Sequence, residues 1–195
     1  MNLSEIVKTV MPVSDEALAE MEAICRPLSF KKGEVIIEQG KVSKDVFFIC
    51  SGVVRNYSLV DGDELTRWFA LDGDLVASMY SFSGGLPSIG SVVAITDLEL
   101  LAAPIAEVRK LLARSDEWCR WTMEYVLDGL YVLERRYTLI SHGNAMSRYL
   151  NFQKLRSYDI VKHLPLKDIA SYLNMRPQTL SKVRRQIAKS GKTAK

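Results

Sequence analysis

The residues whose types and spacing could do chemistry gather near the C-terminal end: Arg176, Gln178, Thr179, Ser181, Lys182, Arg185 and Lys189. With Leu180, Val183 and Ile187 turned inward at i, i+3 and i+7, the outward stripe of one helix carries Gln178, Ser181, Lys182, Arg185 and Lys189. A glutamine amide reads adenine, lysine and arginine read guanine or hold phosphate, and hydroxyls such as those of Thr179 and Ser181 serve either role. This is the chemistry of gripping a duplex rather than of breaking a bond. A solvated basic face would show the same charge, but it would not need the turn chemistry that precedes it.

That turn chemistry belongs to the stretch Pro165–Ile187, which reads as two short helices. Ile169, Ala170 and Leu173 form the apolar face of the first, and Ala170 is small where the two helices would cross. Asn174 tolerates the left-handed conformation that ends a helix, and Pro177 suits the first position of the next. The pattern is a helix-turn-helix, whose second helix should enter a DNA major groove. Ala145–Leu155, with Tyr149, Leu150 and Phe152, is a helix leading into it, and Ser141-His142-Gly143-Asn144 is a natural hinge.

Charge divides at the same place. Residues 145–195 hold 12 Lys/Arg against 2 Asp/Glu, whereas residues 1–144 hold 14 against 21. An acidic body with a basic appendage fits nucleic-acid binding. Cys25, Cys50 and Cys119 are too far apart for a metal cluster or a disulfide framework and are expected as buried free thiols. The start of the chain, with Glu5 and Lys8 among few apolar residues, lacks a signal-peptide core, and no apolar run could span a bilayer. A cytoplasmic protein is expected.

The preceding elements must position the helix-turn-helix. Residues 14–26 suggest a short helix capped by Ser14, with Ala17, Leu18, Met21 and Ile24 on one face. Strand-like runs follow at Leu28–Lys31, Val35–Glu38, Val46–Cys50, Val53–Val60, Glu64–Leu71, Leu75–Ala77, Ser91–Ile95 and Glu99–Ala103. Glycines stand near the corners, and Asp61-Gly62 is a hairpin signal. Many short strands of this kind predict an antiparallel barrel or double sheet. Helical spacing returns at 104–112 and then over a long helix, Asp116 to Ile140. There Cys119, Met123, Val126, Leu130, Leu133, Tyr137 and Ile140 keep steps of four and three, the seam of a two-stranded coiled coil. Trp118, Trp121, Tyr125 and Val132 form a second flank suited to packing on the chain's own barrel, and Gly129 weakens the helix modestly.

This order of elements resembles the Crp/Fnr family of bacterial transcription regulators over nearly the whole chain. The segments that carry the resemblance are Lys32-Gly33-Glu34-Val35-Ile36, Gln39-Gly40, residues 46–55, Asp72-Gly73-Asp74-Leu75 and the helix-turn-helix. The resemblance implies an α+β chain: an N-terminal cyclic-nucleotide-binding-type β jelly roll (1–115), a dimerisation helix (116–141) and a C-terminal helix-turn-helix domain (142–195). It also implies a homodimer on a two-fold symmetric operator, with RNA polymerase as a protein partner. The dimer would be held through Met123, Val126, Leu130, Leu133, Tyr137 and Ile140. Where the catabolite activator branch starts its recognition helix with a motif like Arg-Glu-Thr-Val-Gly-Arg, this chain has Pro177-Gln178-Thr179-Leu180-Ser181-Lys182, so base preference should differ.

The effector pocket departs from the family pattern. The nucleotide-binding branch has a Gly-Glu-Leu that holds the ribose and an Arg-Ser or Arg-Thr pair that holds the cyclic phosphate. Here Ala77-Ser78-Met79 and Pro87-Ser88-Ile89-Gly90 stand instead, and no basic residue occurs between Arg67 and Arg109. A buried phosphate without a cation is poorly compensated. The candidate pocket Ser78, Met79, Ser88 and Ile89 is therefore expected to take an effector other than cyclic AMP, or none. No metal or other cofactor is expected. The clustered N-terminal cysteines of the oxygen-sensing branch are missing, and His142 and His163 are poorly placed as haem ligands. A metal-dependent jelly-roll enzyme needs histidines on its strands, and the barrel region has none. A cyclic-nucleotide-binding regulatory protein acting on a protein partner is the alternative function. The few residues after the recognition helix suggest that the usual hairpin wing is missing.

Overall fold

A computed structural model describes residues 1–141, 143–155 and 164–193. The chain divides into two compact units: Met1–Asp63 with Arg67–Asp128, and Glu64–Thr66 with Gly129–Lys195. The longest helix thus contributes to both.

In the first unit, two four-stranded sheets make a double-sheet jelly roll. One has the order β1 (Arg26–Phe30), β8 (Leu98–Pro104), β3 (Asp45–Ser51), β6 (Leu75–Val76). The other runs β2 (Val35–Ile37), β7 (Ser91–Ala94), β4 (Val53–Val60), β5 (Asp63–Leu71). Asp61 and Gly62 close the β4–β5 hairpin at φ of 53° and 87°, the paired positive values that a two-residue primed turn needs.

The central strands explain the continuous apolar runs in the sequence. Along β3, Phe47 and Ile49 join one core cluster with Val54, Val92, Leu98, Leu100 and Ala102. Val46 and Phe48 face the other way, into a second cluster that includes Ala103 and the residues of four helices. Because both faces are covered at β3, that strand does not alternate apolar and polar.

The covering layer is α1 (Leu3–Lys8), α2 (Asp15–Ile24), α4 (Ile105–Arg114) and the start of α5 (Asp116–Ser141), while α3 (Met79–Gly84) follows β6. Helix α1 corrects the reading of the N-terminus as poor in apolar structure. Asn2 and Glu5 form a reciprocal capping box, and Leu3, Ile6 and Val7 are all buried. Helix α2 is capped by Ser14 as expected and buries Ala17 and Met21, with Leu18 and Ile24 packed beside them.

On α5, the Trp118 and Trp121 indoles donate to the Ala17 carbonyl at 2.8 Å and the Val7 carbonyl at 2.9 Å. Tyr125 stacks on Trp121 with ring centroids 5.4 Å apart and donates to the Leu75 carbonyl at 2.6 Å. These bonds let bulky amphipathic rings sit deep without stranding their polar atoms. Val132, grouped with them in the sequence, is instead exposed. The flank expected to pack on the barrel therefore ends at Tyr125.

At the head of α5, Glu117 accepts from the Ser14 backbone N–H at 2.7 Å and the Ser14 hydroxyl at 2.8 Å. Those bonds hold its carboxyl below the ordinary value near 4.5. A depressed carboxylate stabilises the fold above its unfolded pKa and loses that contribution as pH falls through the folded value. Glu117→Gln should therefore lower the melting temperature at neutral pH. The gap to the parent should close on acidification below about pH 4. A gap that persists in acid would contradict this assignment.

The second unit contains α6 (Ala145–Leu155), α7 (Leu166–Tyr172) and α8 (Pro177–Thr193). Its buried side chains include Tyr149, Phe152, Leu164, Ile169, Ala170, Leu173, Leu180 and Val183. Phe152 and Tyr172 meet with centroids 5.2 Å apart. The readings placed on His142 and His163 lie outside the described residues.

Candidate nucleic-acid interface

The turn between α7 and α8 is a complete Schellman closure. The Met175 N–H donates to the Ala170 carbonyl at 3.0 Å and the Asn174 N–H to the Ser171 carbonyl at 3.1 Å, with Asn174 at φ 50°. Helix α8 then starts at Pro177, where the missing N–H costs nothing. The Arg176 carbonyl accepts from Thr179 at 3.0 Å and Leu180 at 3.2 Å. Asn174 and Pro177 thus occupy the positions their chemistry implied.

Inward, Leu180 and Val183 are buried and Ile187 is half-buried. Outward, Arg176, Gln178, Lys182, Arg185 and Lys189 are exposed, and Thr179 and Ser181 are half-buried. The structure therefore brings the predicted residues onto one end and one face of α8. Arg184, which the sequence reading left aside, is exposed as well and broadens the basic surface. Spacing alone could not reveal Arg148 of α6, which donates to the Asn174 carbonyl at 3.2 Å across 26 positions of sequence.

Along α5, Met123, Val126, Leu130, Leu133 and Tyr137 are all exposed, Tyr137 by 74%. Leu127 and Tyr131 widen this apolar stripe. The side chain of Ile140 lies outside the described residues. Cys119 heads the stripe and is exposed, while Cys25 and Cys50 are half-buried, so none of the three is the buried thiol expected from its neighbours. Burial, with Glu22 and Cys50 adding negative charge nearby, pushes the Cys25 thiol up to about 11. In the monomeric Leu130→Glu, Leu133→Glu variant, a thiol reagent at neutral pH should accordingly modify Cys119 first and Cys25 last. The reverse order by peptide mass mapping would contradict the placement.

In the candidate barrel pocket, Ser78 and Ser88 are buried and bonded within their own turns. The Ser78 hydroxyl accepts from Ser81 at the start of α3, and the Ser88 hydroxyl donates to the Gly90 carbonyl at 2.7 Å. Both act as turn and cap formers, while Met79 and Ile89 are exposed. A cleft of about 280 Å³ lies elsewhere, between β2 and the loop leading to β3, lined by residues 35–38, 41–45 and Phe47.

One buried cation was missed in the sequence. Arg55, 4% exposed, lies over the Tyr57 ring at 4.8 Å. It pairs in register with Val93, whereas the flanking pairs Val54–Ala94 and Asn56–Val92 carry the core residues Val54, Ala94 and Val92. Strand alternation therefore puts Arg55 on the opposite face of its sheet from that core. Among the described residues, no group of three or more His, Cys, Asp or Glu is arranged to hold a metal ion. No helix among them is long and apolar enough to cross a membrane.

Comparison with known proteins agrees with this arrangement. Residues 27–115 match the cyclic nucleotide-binding domain family. The chain is similar to the nitrogen fixation regulation protein FixK of Bradyrhizobium diazoefficiens, 26% identical over 189 residues that cover 91% of this chain and 78% of that protein. Among solved structures, FixK2 from Bradyrhizobium japonicum superposes with a TM-score of 0.75 at 21% identity, covering 86% of each chain. The c-di-GMP responsive global regulator CLP of Xanthomonas campestris gives 0.73 at 14% identity, covering 91% of this chain and 93% of its own. A CooA variant from Carboxydothermus hydrogenoformans gives 0.74 at 19%, covering 98% and 86%. By sequence and fold together, the chain contains a cyclic nucleotide-binding domain at residues 27–115 and is similar over most of its length to Crp/Fnr-type regulators.

Proposed function

We propose that this protein is a cytoplasmic, DNA-binding transcription regulator rather than an enzyme, acting as a homodimer on a two-fold symmetric operator. The observation that carries the reading is the exposed face of α8. Gln178 and Lys182 stand one turn apart at the end that reaches deepest into a major groove. Arg176, Arg185 and Lys189 flank them as phosphate ligands, with Thr179 and Ser181 at the edge. The apolar stripe of α5 supports pairing with a second copy, because a soluble helix rarely presents so many large side chains to water unless they meet a partner. RNA polymerase is the protein partner such a regulator would address.

The barrel takes an effector other than cyclic AMP, or none. Ser88 and Ile89 stand where an Arg-Ser pair would hold a cyclic phosphate, the Ser88 hydroxyl is committed to Gly90, and Arg55 lies on the far side of its sheet from the core. Without a cation inside, a buried phosphate is left uncompensated. Calorimetry with cyclic AMP should show no saturable heat in the low micromolar range. Tight binding there would overturn this part of the reading.

The DNA-binding function is tested by selection from a random duplex library on the full-length protein. Enriched sequences should carry inverted half-sites centred one helical turn apart, about 34 Å. Failure to enrich any sequence over the starting pool would contradict the proposal.

A further inference from the structure

We infer that Arg148 is a positioning residue for the base-reading helix: it sets the turn that aims α8 and makes no contact of its own with nucleic acid. The inference rests on the DNA-binding reading above. Two carbonyls of α7 are satisfied by the Schellman closure, through the N–H groups of Asn174 and Met175. The carbonyl of Asn174 itself, three residues on from Ser171, takes its donor from a different helix, the Arg148 guanidinium at 3.2 Å.

Asn174 is the residue with positive φ, so its peptide plane fixes the angle at which the chain leaves α7. A charge-assisted bond to that plane restrains the left-handed step between the two helices. Arg148 is itself well anchored. Its backbone N–H donates to the Asn144 carbonyl at 3.1 Å in the first turn of α6, which fixes where the side chain starts, and the adjacent Tyr149 is buried in the core of this unit. Its Nε is sealed from solvent without a hydrogen-bond partner. With Nε buried and Nη1 bonded to the Asn174 carbonyl, this edge of the guanidinium serves the turn rather than a bidentate phosphate contact.

The test uses the full-length parent with Arg148→Lys, Arg148→Gln and Arg148→Ala. It reads hydrogen exchange over residues 170–180 without DNA, then affinity for a selected operator and for random duplex across a salt series. Arg148→Ala should speed exchange at Asn174 and Met175 severalfold. It should also cut the operator-to-random preference by roughly tenfold, the scale of one spoiled base contact, with an unchanged salt slope. Arg148→Lys, which keeps a charged donor, should recover part of the preference.

Equal loss on both DNAs with a salt slope smaller by about one unit would make Arg148 a phosphate ligand and overturn the inference. Unchanged exchange and unchanged preference would overturn it too. If Arg148→Ala does not fold, Arg148→Gln is judged by the same readouts. A parent that binds no duplex would overturn the DNA-binding reading, while the exchange rates would still decide whether Arg148 restrains the turn.

Discussion

Replacing Leu130 and Leu133 with glutamate should convert a dimer into a monomer. Both leucines are more than half exposed in the single chain, and they sit mid-way along a stripe from Met123 to Tyr137. Each leucine buried in a partner's seam contributes about 1.5–3 kcal/mol, and a dimer would bury four of these. The double substitution removes that gain and asks four carboxylates to approach in a poorly solvated seam, which costs several kcal/mol more. Because both side chains already face solvent in the monomer, the fold of the single chain should survive. Light scattering should report half the parent mass, with circular dichroism unchanged. A mass equal to that of a dimeric parent would place the interface elsewhere.

Leu180→Ala should disable the second unit while leaving the first intact. Leu180 is fully buried beneath α8. Truncating such a leucine costs roughly 2–5 kcal/mol, depending on how well the surroundings collapse. Against a typical total of about 5–15 kcal/mol for a whole domain, a small helical unit has little in reserve. Trp118 and Trp121 lie in the first unit, so their near-ultraviolet signal should persist while helical ellipticity and operator binding are lost. Parallel loss of the tryptophan signal would show that the two units do not fold separately.

Much of this architecture was readable from residue types. The strand runs and glycine corners located eight strands because a half-turn of sequence, such as Asp61-Gly62, fixes its own backbone. Asn174 and Pro177 did the same for the helix-turn-helix. Helix α1 escaped because six residues are too few to show periodicity, and its burial depends on β3 and α5 packing against it. The thiols were misjudged because neighbours in sequence are not neighbours in space. Cys119 lies between Trp118 and Trp121 in the chain, yet helical rotation turns it to the exposed side. Val132 failed for a related reason, since a shared helix flank guarantees a common direction but not a surface to meet.

The site divides along the same line. The exposed face of α8 follows from one helix and its period, so Gln178, Lys182 and Arg185 could be assigned from spacing alone. The barrel residues could not. Whether Ser78 and Ser88 face a ligand or cap a turn depends on backbone geometry, and the structure gives them turn partners. Arg148 acts across helices 26 positions apart in sequence, and the burial of Arg55 depends on which face of its sheet is covered, relations that no local pattern encodes.

The most direct test of the central claim compares Gln178→Ala and Arg185→Ala for binding to operator and random duplexes over a salt series. Gln178→Ala should cost about 1–3 kcal/mol on the preferred operator and little on random DNA, because it removes a base contact. Arg185→Ala should weaken both DNAs alike and lower the salt slope by about one unit, because it removes a phosphate contact. Equal losses for both variants on both duplexes, or no loss for either, would contradict the assignment of α8 as the helix that reads DNA.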